Sequence, residues 1–105
     1  MNLYLNEYSS FIAEWRERNN FVTNWDNMLE KLMLVVSEVS EAAEAYRNDD
    51  KENFEEEIAD TFIRLMDIVG TLHIDIEAAI KSKMNTNLKR PSQHGKKRGD
   101  VRKKG

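Results

Sequence analysis

Residues 34–47, LVVSEVSEAAEAYR, and residues 55–70, EEEIADTFIRLMDIVG, decide how this chain folds. Both carry apolar residues at three- and four-residue spacing, the period of a helix with one buried face. Neither shows the sustained period-two alternation and β-branched enrichment of a strand. Between them lie Asn48, Asp49 and Asp50, which suit a helix end and a tight reversal. A connection this short makes the two helices antiparallel neighbours.

The same reading extends outward. A first helix is expected over about Leu3 to Arg18, with Tyr4, Tyr8, Phe11, Ile12 and Trp15 on one apolar face and Asn19 and Asn20 at its end. The second is expected over about Trp25 to Arg47, N-capped by Asn24, with Met28, Leu29, Leu32, Val35, Val36, Val39, Ala43 and Tyr46 as its stripe. The third runs from about Glu52 to Leu72, with acids crowding its first turns as the helix dipole favours. It carries Phe54, Ile58, Phe62, Leu65, Met66 and Val69. The fourth runs from about Asp75 to Leu88, with Ile76, Ala79, Ile80 and Met84 facing inward. His73 sits in the turn before it. The fold expected is all-α: a four-helix bundle or a pair of helical hairpins over residues 1–91, completed by oligomerisation because so thin a core needs help.

Composition narrows the chemistry. The chain of 105 residues has room for one domain. It has no cysteine, which excludes disulfides and thiolate metal sites, and its two histidines argue against a His-rich zinc site. No apolar run approaches the ~18 residues of a membrane span, and Met1 to Tyr8 lacks the pattern of a signal peptide. A cytoplasmic, non-membrane protein is the expectation. Its net charge of −3 conceals two regions. Residues 1–88 hold eight Lys/Arg against eighteen Asp/Glu, whereas residues 89–105 hold eight against one. An acidic body does not suit a nucleic-acid backbone but does suit divalent cations. The basic stretch 92–105, with Val101 its one large apolar residue, reads as a flexible tail.

Four acids stand apart from the rest. Glu38 and Glu41 are three residues apart, as are Glu57 and Asp60, so each pair lies on one helix face. They border or interrupt apolar stripes rather than filling a solvated face. Glu44, Glu52, Glu55 and Glu56 are better read as solvated. Facing carboxylates repel unless they are protonated or neutralised by cations. Hard divalent ions with oxygen ligands neutralise them best, and Mg²⁺ commonly bridges such acids to phosphates. Acids three apart are also common on ordinary helices, so one such pair says little; two pairs on adjacent helices, both bordering core positions, balance a metal site against a solvated surface.

Further residues tip that balance. Glu38-x-x-Glu41, fifteen residues, then Glu57-x-x-Asp60 resembles the E-x-x-E…E-x-x-D signature of MazG-like nucleotide pyrophosphohydrolases. The string KMNTNLKRPSQHGKK over 83–97 resembles the same family, reading K-M-x-x-N-x-x-R-P-x-x-H-G. The resemblance covers about residues 25–97. It implies membership of an all-α superfamily with the helical dUTPases. It implies Mg²⁺-dependent hydrolysis of nucleoside triphosphates to monophosphate and pyrophosphate, with Mn²⁺ as a possible substitute ion. By resemblance, Glu38, Glu41, Glu57 and Asp60 are the metal ligands and catalytic acids. Lys83 and Asn87 would hold the phosphates, with Arg90 able to reach one from the helix end. Lys31, seven residues before Glu38, would balance the acids or touch substrate, or is a surface lysine. Relatives stack the base on aromatics of the early helices, which makes Trp15 the first candidate and Trp25 and Tyr46 others. His94 and Gly95 complete the motif without an assigned role. The family works as dimers or as tetramers built from dimers, and its usual task is clearing non-standard nucleotides. The competing expectation is a non-catalytic helical interaction module. A nucleic-acid binder using the tail is a further alternative, against which the acidic body weighs.

Overall fold

The computed structural model describes residues 4–90, and four α-helices make up most of them. They are α1 (Leu5–Arg18), α2 (Met28–Arg47), α3 (Lys51–Thr71) and α4 (Ile76–Leu88), with a single 3₁₀ turn at Trp25–Asn27 leading into α2. No strand occurs among the described residues. The expected elements are therefore present, with ends shifted by a residue or two. The exception is the start of the second, where the first turn is 3₁₀. Leu3, Pro91, the terminal His94-Gly95 pair and the basic tail lie outside the described residues.

Local chemistry explains the boundaries. The Asn24 side chain accepts from the Asn27 backbone N–H at 3.0 Å, and the Asn27 side chain accepts from the Asn24 N–H at 2.9 Å. This reciprocal box starts the 3₁₀ turn and α2 together. Asp50 caps α3 by accepting from Asn53 N–H, and Asp75 caps α4 by accepting from Ala78 N–H. Three helices end alike: Phe21 N–H donates to Arg16 O, Asp50 N–H to Ala45 O, and Ile74 N–H to Val69 O. This six-to-one bond needs a left-handed residue just past the helix. Asn20, Asp49 and His73 supply it, with φ of 68°, 57° and 55°. Short polar or imidazole side chains tolerate that region better than branched ones.

Helix α3 is the centre, with α1 and α2 packed on it. On α2 the residues turned inward are Met28, Lys31, Val35, Glu38, Ala42 and Ala45. Their spacing of alternating threes and fours is that of a coiled-coil seam. On α3 the matching row is Phe54, Glu57, Thr61, Arg64 and Ile68. Apolar residues close both ends of the seam, and Glu38, Glu57, Thr61 and Arg64 occupy its middle.

Against α1, Gly70 makes the close approach. A Cβ there would run into the Ser9 carbonyl and lie 2.8 Å from Ala13 Cβ. Only glycine lets the backbones meet so closely. One turn along, Arg16 Nε donates to Asp67 Oδ2 at 2.9 Å, and Thr23 Oγ1 donates to the same oxygen at 2.6 Å. The Arg16 guanidinium also covers the Phe21 ring at 4.5 Å. This cluster pins the 19–24 loop to both helices. Helix α4 is held chiefly at its first turn. There Asn6 accepts from Ile76 N–H at 2.9 Å and donates through Nδ2 to Asp75 Oδ1 at 2.9 Å. That bond and the one from Ala78 N–H hold the Asp75 carboxyl below its ordinary range.

The stripes expected from spacing are only partly the packed ones. On α1 Ile12 is buried, but Tyr4, Tyr8, Phe11 and Trp15 face solvent. Ser9, Ala13 and Arg16 take the inward positions instead. On α2 the expected stripe mixes the seam with a second row, Leu29, Leu32, Val36, Val39 and Tyr46, that is exposed. Two adjacent apolar rows look like one broad face in the sequence. Of the apolar residues expected to face inward on α4, only Ile76 is half-buried, and Ala79, Ile80 and Met84 are exposed. A closed four-helix core is thus not formed within one chain. Among the described residues, the buried apolar ones are Ile12, Met28, Ala42, Ala45 and Ile68.

Candidate functional site

The acids of the seam meet. One carboxylate oxygen each from Glu38, Glu41 and Glu57 lies within 4.8 Å of the others. Glu38 and Glu57 are in the α2–α3 seam, and Glu41, one turn further along α2, stands beside it and is exposed. Glu38 is largely enclosed, with 12% of its side chain exposed, and accepts from Arg64 Nε at 2.7 Å. Glu57 Oε1 is buried, and among the described residues no donor reaches it. Ionised carboxylates this close repel one another. The chain therefore holds three acids in a place that, by themselves, they would avoid.

Glu57 shows the strain most. Its pKa rises from 4.5 to about 7, first through desolvation, then through the carboxylates of Glu38 and Glu41 beside it. Its folded-state pKa lies above its unfolded value, so folding favours the protonated form. Glu57 therefore supports the fold below about pH 4.5, and that support is lost as pH rises to about 7. In chelator, the melting temperature is expected to fall across this window by more in the native protein than in Glu57→Gln. Identical slopes in the two proteins would show that Glu57 titrates normally. Cation binding below pH 7 should also release protons, measurable with an indicator dye.

Asp60 does not join the cluster and is exposed. The reason is angular. Glu57 lies in the seam, and the α3 residue that follows it there is four positions on, not three. Thr61 takes that place, half-buried, with Oγ1 donating to Glu57 O at 2.8 Å. Asp60 is turned toward the rim. Lys31 lies in the α2 seam two turns before Glu38 and is half-buried. Lys83, Asn87 and Arg90 are exposed on or just past α4, which packs on α1 rather than on α2. None of the three hydrogen-bonds to the acids. Within one chain the acids and the expected phosphate-binding residues are not brought into one site, because α4 is anchored only at its N-terminal end. Trp15 is 45% exposed and stacks on Phe21 with ring centroids 6.3 Å apart. Trp25 and Tyr46 are exposed without a stacking partner among the described residues.

Two residues of consequence carry no motif. Arg64 is seven positions after Glu57, hence on the same helix face, and that spacing is the signal that points to it. Asp67 is buried at 3% exposure and paired with Arg16; no local pattern distinguishes it from a surface acid.

The acid set fits a hard divalent cation. It offers oxygen donors only, one of them buried and without a donor of its own, and neutralisation would relieve the repulsion around Glu57. Among the described residues no helix is long and apolar enough to cross a membrane. Neither the curated proteins nor the solved structures compared with this chain include a match. The sequence profile of the MazG nucleotide pyrophosphohydrolase domain does match, over residues 27–94, which takes in α2, α3 and α4 whole. With that match covering most of the chain, and with three of the four signature acids converging across its two central helices, the protein belongs to the MazG nucleotide pyrophosphohydrolase family.

Proposed function

We infer that the protein hydrolyses nucleoside or deoxynucleoside triphosphates between the α- and β-phosphates, releasing the monophosphate and pyrophosphate. The convergence of Glu38, Glu41 and Glu57 on α2 and α3, inside the matched domain, carries this reading. These acids hold Mg²⁺, with Asp60 reaching in from the rim as the fourth ligand and Mn²⁺ able to substitute. Bound there, a divalent ion would supply neutralisation of phosphate oxygens and a lowered pKa for a coordinated water. Lys83 and Asn87, four residues apart on one face of α4, hold the phosphates, and Arg90 extends that grip. Lys31 balances the acids from the far end of the seam. Trp15 offers the base a flat apolar face. Clearing non-standard nucleotides from the cytoplasmic pool is the role such an activity would serve.

Assembly belongs to the same reading. The outer row of α2 runs Leu29, Leu32, Val36, Val39, Ala43 and Tyr46, again in alternating steps of three and four. Leu29 is 73% exposed and Tyr46 76%, and Phe62, Met84 and Leu88 are exposed as well. A monomer rarely leaves so much contiguous apolar surface in water. A second copy covering this row makes a homo-oligomer, a dimer or a tetramer built from dimers, and allows α4 of one chain to complete the site of another. Light scattering at micromolar concentration should give at least twice the chain mass of 12.3 kDa. A monomer would contradict this.

The direct test is a pyrophosphate-release assay across a panel of triphosphates, with Mg²⁺ and with chelator. Release that requires Mg²⁺ supports the proposal. No release from any triphosphate, together with no thermal stabilisation by Mg²⁺ and nucleotide, would return the chain to the reading of a helical interaction module.

A further inference from the structure

Arg64 lies in the α2–α3 seam, and none of the roles above uses it. Its side chain is 28% exposed, and its Nε approaches Glu38 Oε2 to 2.7 Å. A surface arginine on a helix of this kind is free to turn to water. This one is enclosed and spends its charge on a signature acid. It is two turns along α3 from Glu57, so it approaches the cluster from one end of the seam while Glu41 stands at the other.

The charge count follows from this placement. When ionised, the three acids that meet, Glu38, Glu41 and Glu57, carry three negative charges, and Arg64 returns one positive charge to them; the charge of Asp60 at the rim is offset by that of Lys31 in the seam. The remainder equals the charge of one divalent ion. A second ion would leave a half-buried seam with a net positive charge, which is costly. It would also have to compete with the guanidinium for Glu38.

We propose that Arg64 is a positioning residue that holds Glu38 and takes up one unit of the cluster's charge, so that each chain loads a single divalent ion before substrate binds. This rests on the metal-binding reading above. Any further ion would come with the triphosphate, whose own oxygens would supply the missing negative charge. Arg64 is thereby the residue that sets the metal count of the substrate-free protein.

The test counts Mn²⁺ on the full chain after chelator treatment, by electron paramagnetic resonance. Bound ions that disappear in Glu57→Gln are assigned to this site. The native protein should hold one such ion per chain, Arg64→Lys one, and Arg64→Met two. If circular dichroism shows Arg64→Met unfolded, Arg64→Gln keeps a donor without the charge and should hold two. Two ions on the native protein would overturn the proposal. So would one ion on the uncharged variant, or two on Arg64→Lys. No Mn²⁺ on the native protein would instead overturn the metal-binding reading itself, which keeps the two failures distinct.

Discussion

Glu41→Gln is expected to cut Mg²⁺-dependent pyrophosphate release by on the order of 10²–10³-fold, the scale of losing one charge-stabilising group in a catalytic site. The substitution is nearly isosteric and removes one charge. Glu41 is exposed, so no packing is lost. Removing it also relieves Glu57, whose raised pKa owes part of its shift to the Glu41 charge. The variant should therefore fold at least as well as the native chain in chelator, with an unchanged helical circular dichroism signal. Lost activity with undiminished stability is the signature of a site residue, since structural damage would lower both. Asp60→Asn is expected to lose activity as well. Full activity in Glu41→Gln would defeat the site assignment. Full activity in Asp60→Asn alone would confine the ligands to the three acids that meet in the seam.

Asp67→Ala is expected to give the largest loss of stability. Asp67 is 3% exposed and gathers Arg16, Thr23 and Thr71 around one carboxylate. Truncating it leaves the Arg16 guanidinium buried without its counter-charge and two hydroxyls without their acceptor. Breaking a buried pair from one side costs about 3–5 kcal/mol. Small domains are stable by only about 5–15 kcal/mol, so this removes a large share. The melting temperature should fall by more than about 10 °C. The double variant Arg16→Met, Asp67→Leu should recover much of the loss, because neither charge is then left unpaired. A double variant no more stable than Asp67→Ala would show that the network contributes through the Thr23 and Thr71 bonds rather than through the charge pair. Neither substitution touches the acid cluster, so the fraction that remains folded should retain its Mg²⁺ dependence.

The two experiments separate two kinds of acid that look alike in the sequence. Glu41 and Asp67 both lie in amphipathic helices beside apolar residues. One is part of a repeated three-residue spacing that occurs on both α2 and α3, and that repetition marks it. The other has no such partner in the chain, because its partner is Arg16, fifty-one residues away.

What the sequence determined by itself is what depends on interactions within a turn or two. Helix identity follows from the spacing of apolar residues, and the start of α2 follows from Asn24 as a cap. Family membership follows from the order of short motifs, and the pairing of Glu38 with Glu41 on one face follows from their three-residue separation. Tertiary structure decided what depends on how one helix meets another. It placed Glu38 and Glu57 in a seam with Arg64, and it put Thr61 where Asp60 was expected. It turned the aromatic face of α1 outward, and it left α4 tied to α1 by its first turn. The physical reason is that each of these helices has two adjacent rows able to pack. Periodicity measures how apolar a face is, whereas the row actually buried is chosen by fit across the interface. That fit rests on a glycine where backbones nearly touch, on alanines in the α2 seam, and on Arg16 and Arg64, each opposite an acid of a neighbouring helix.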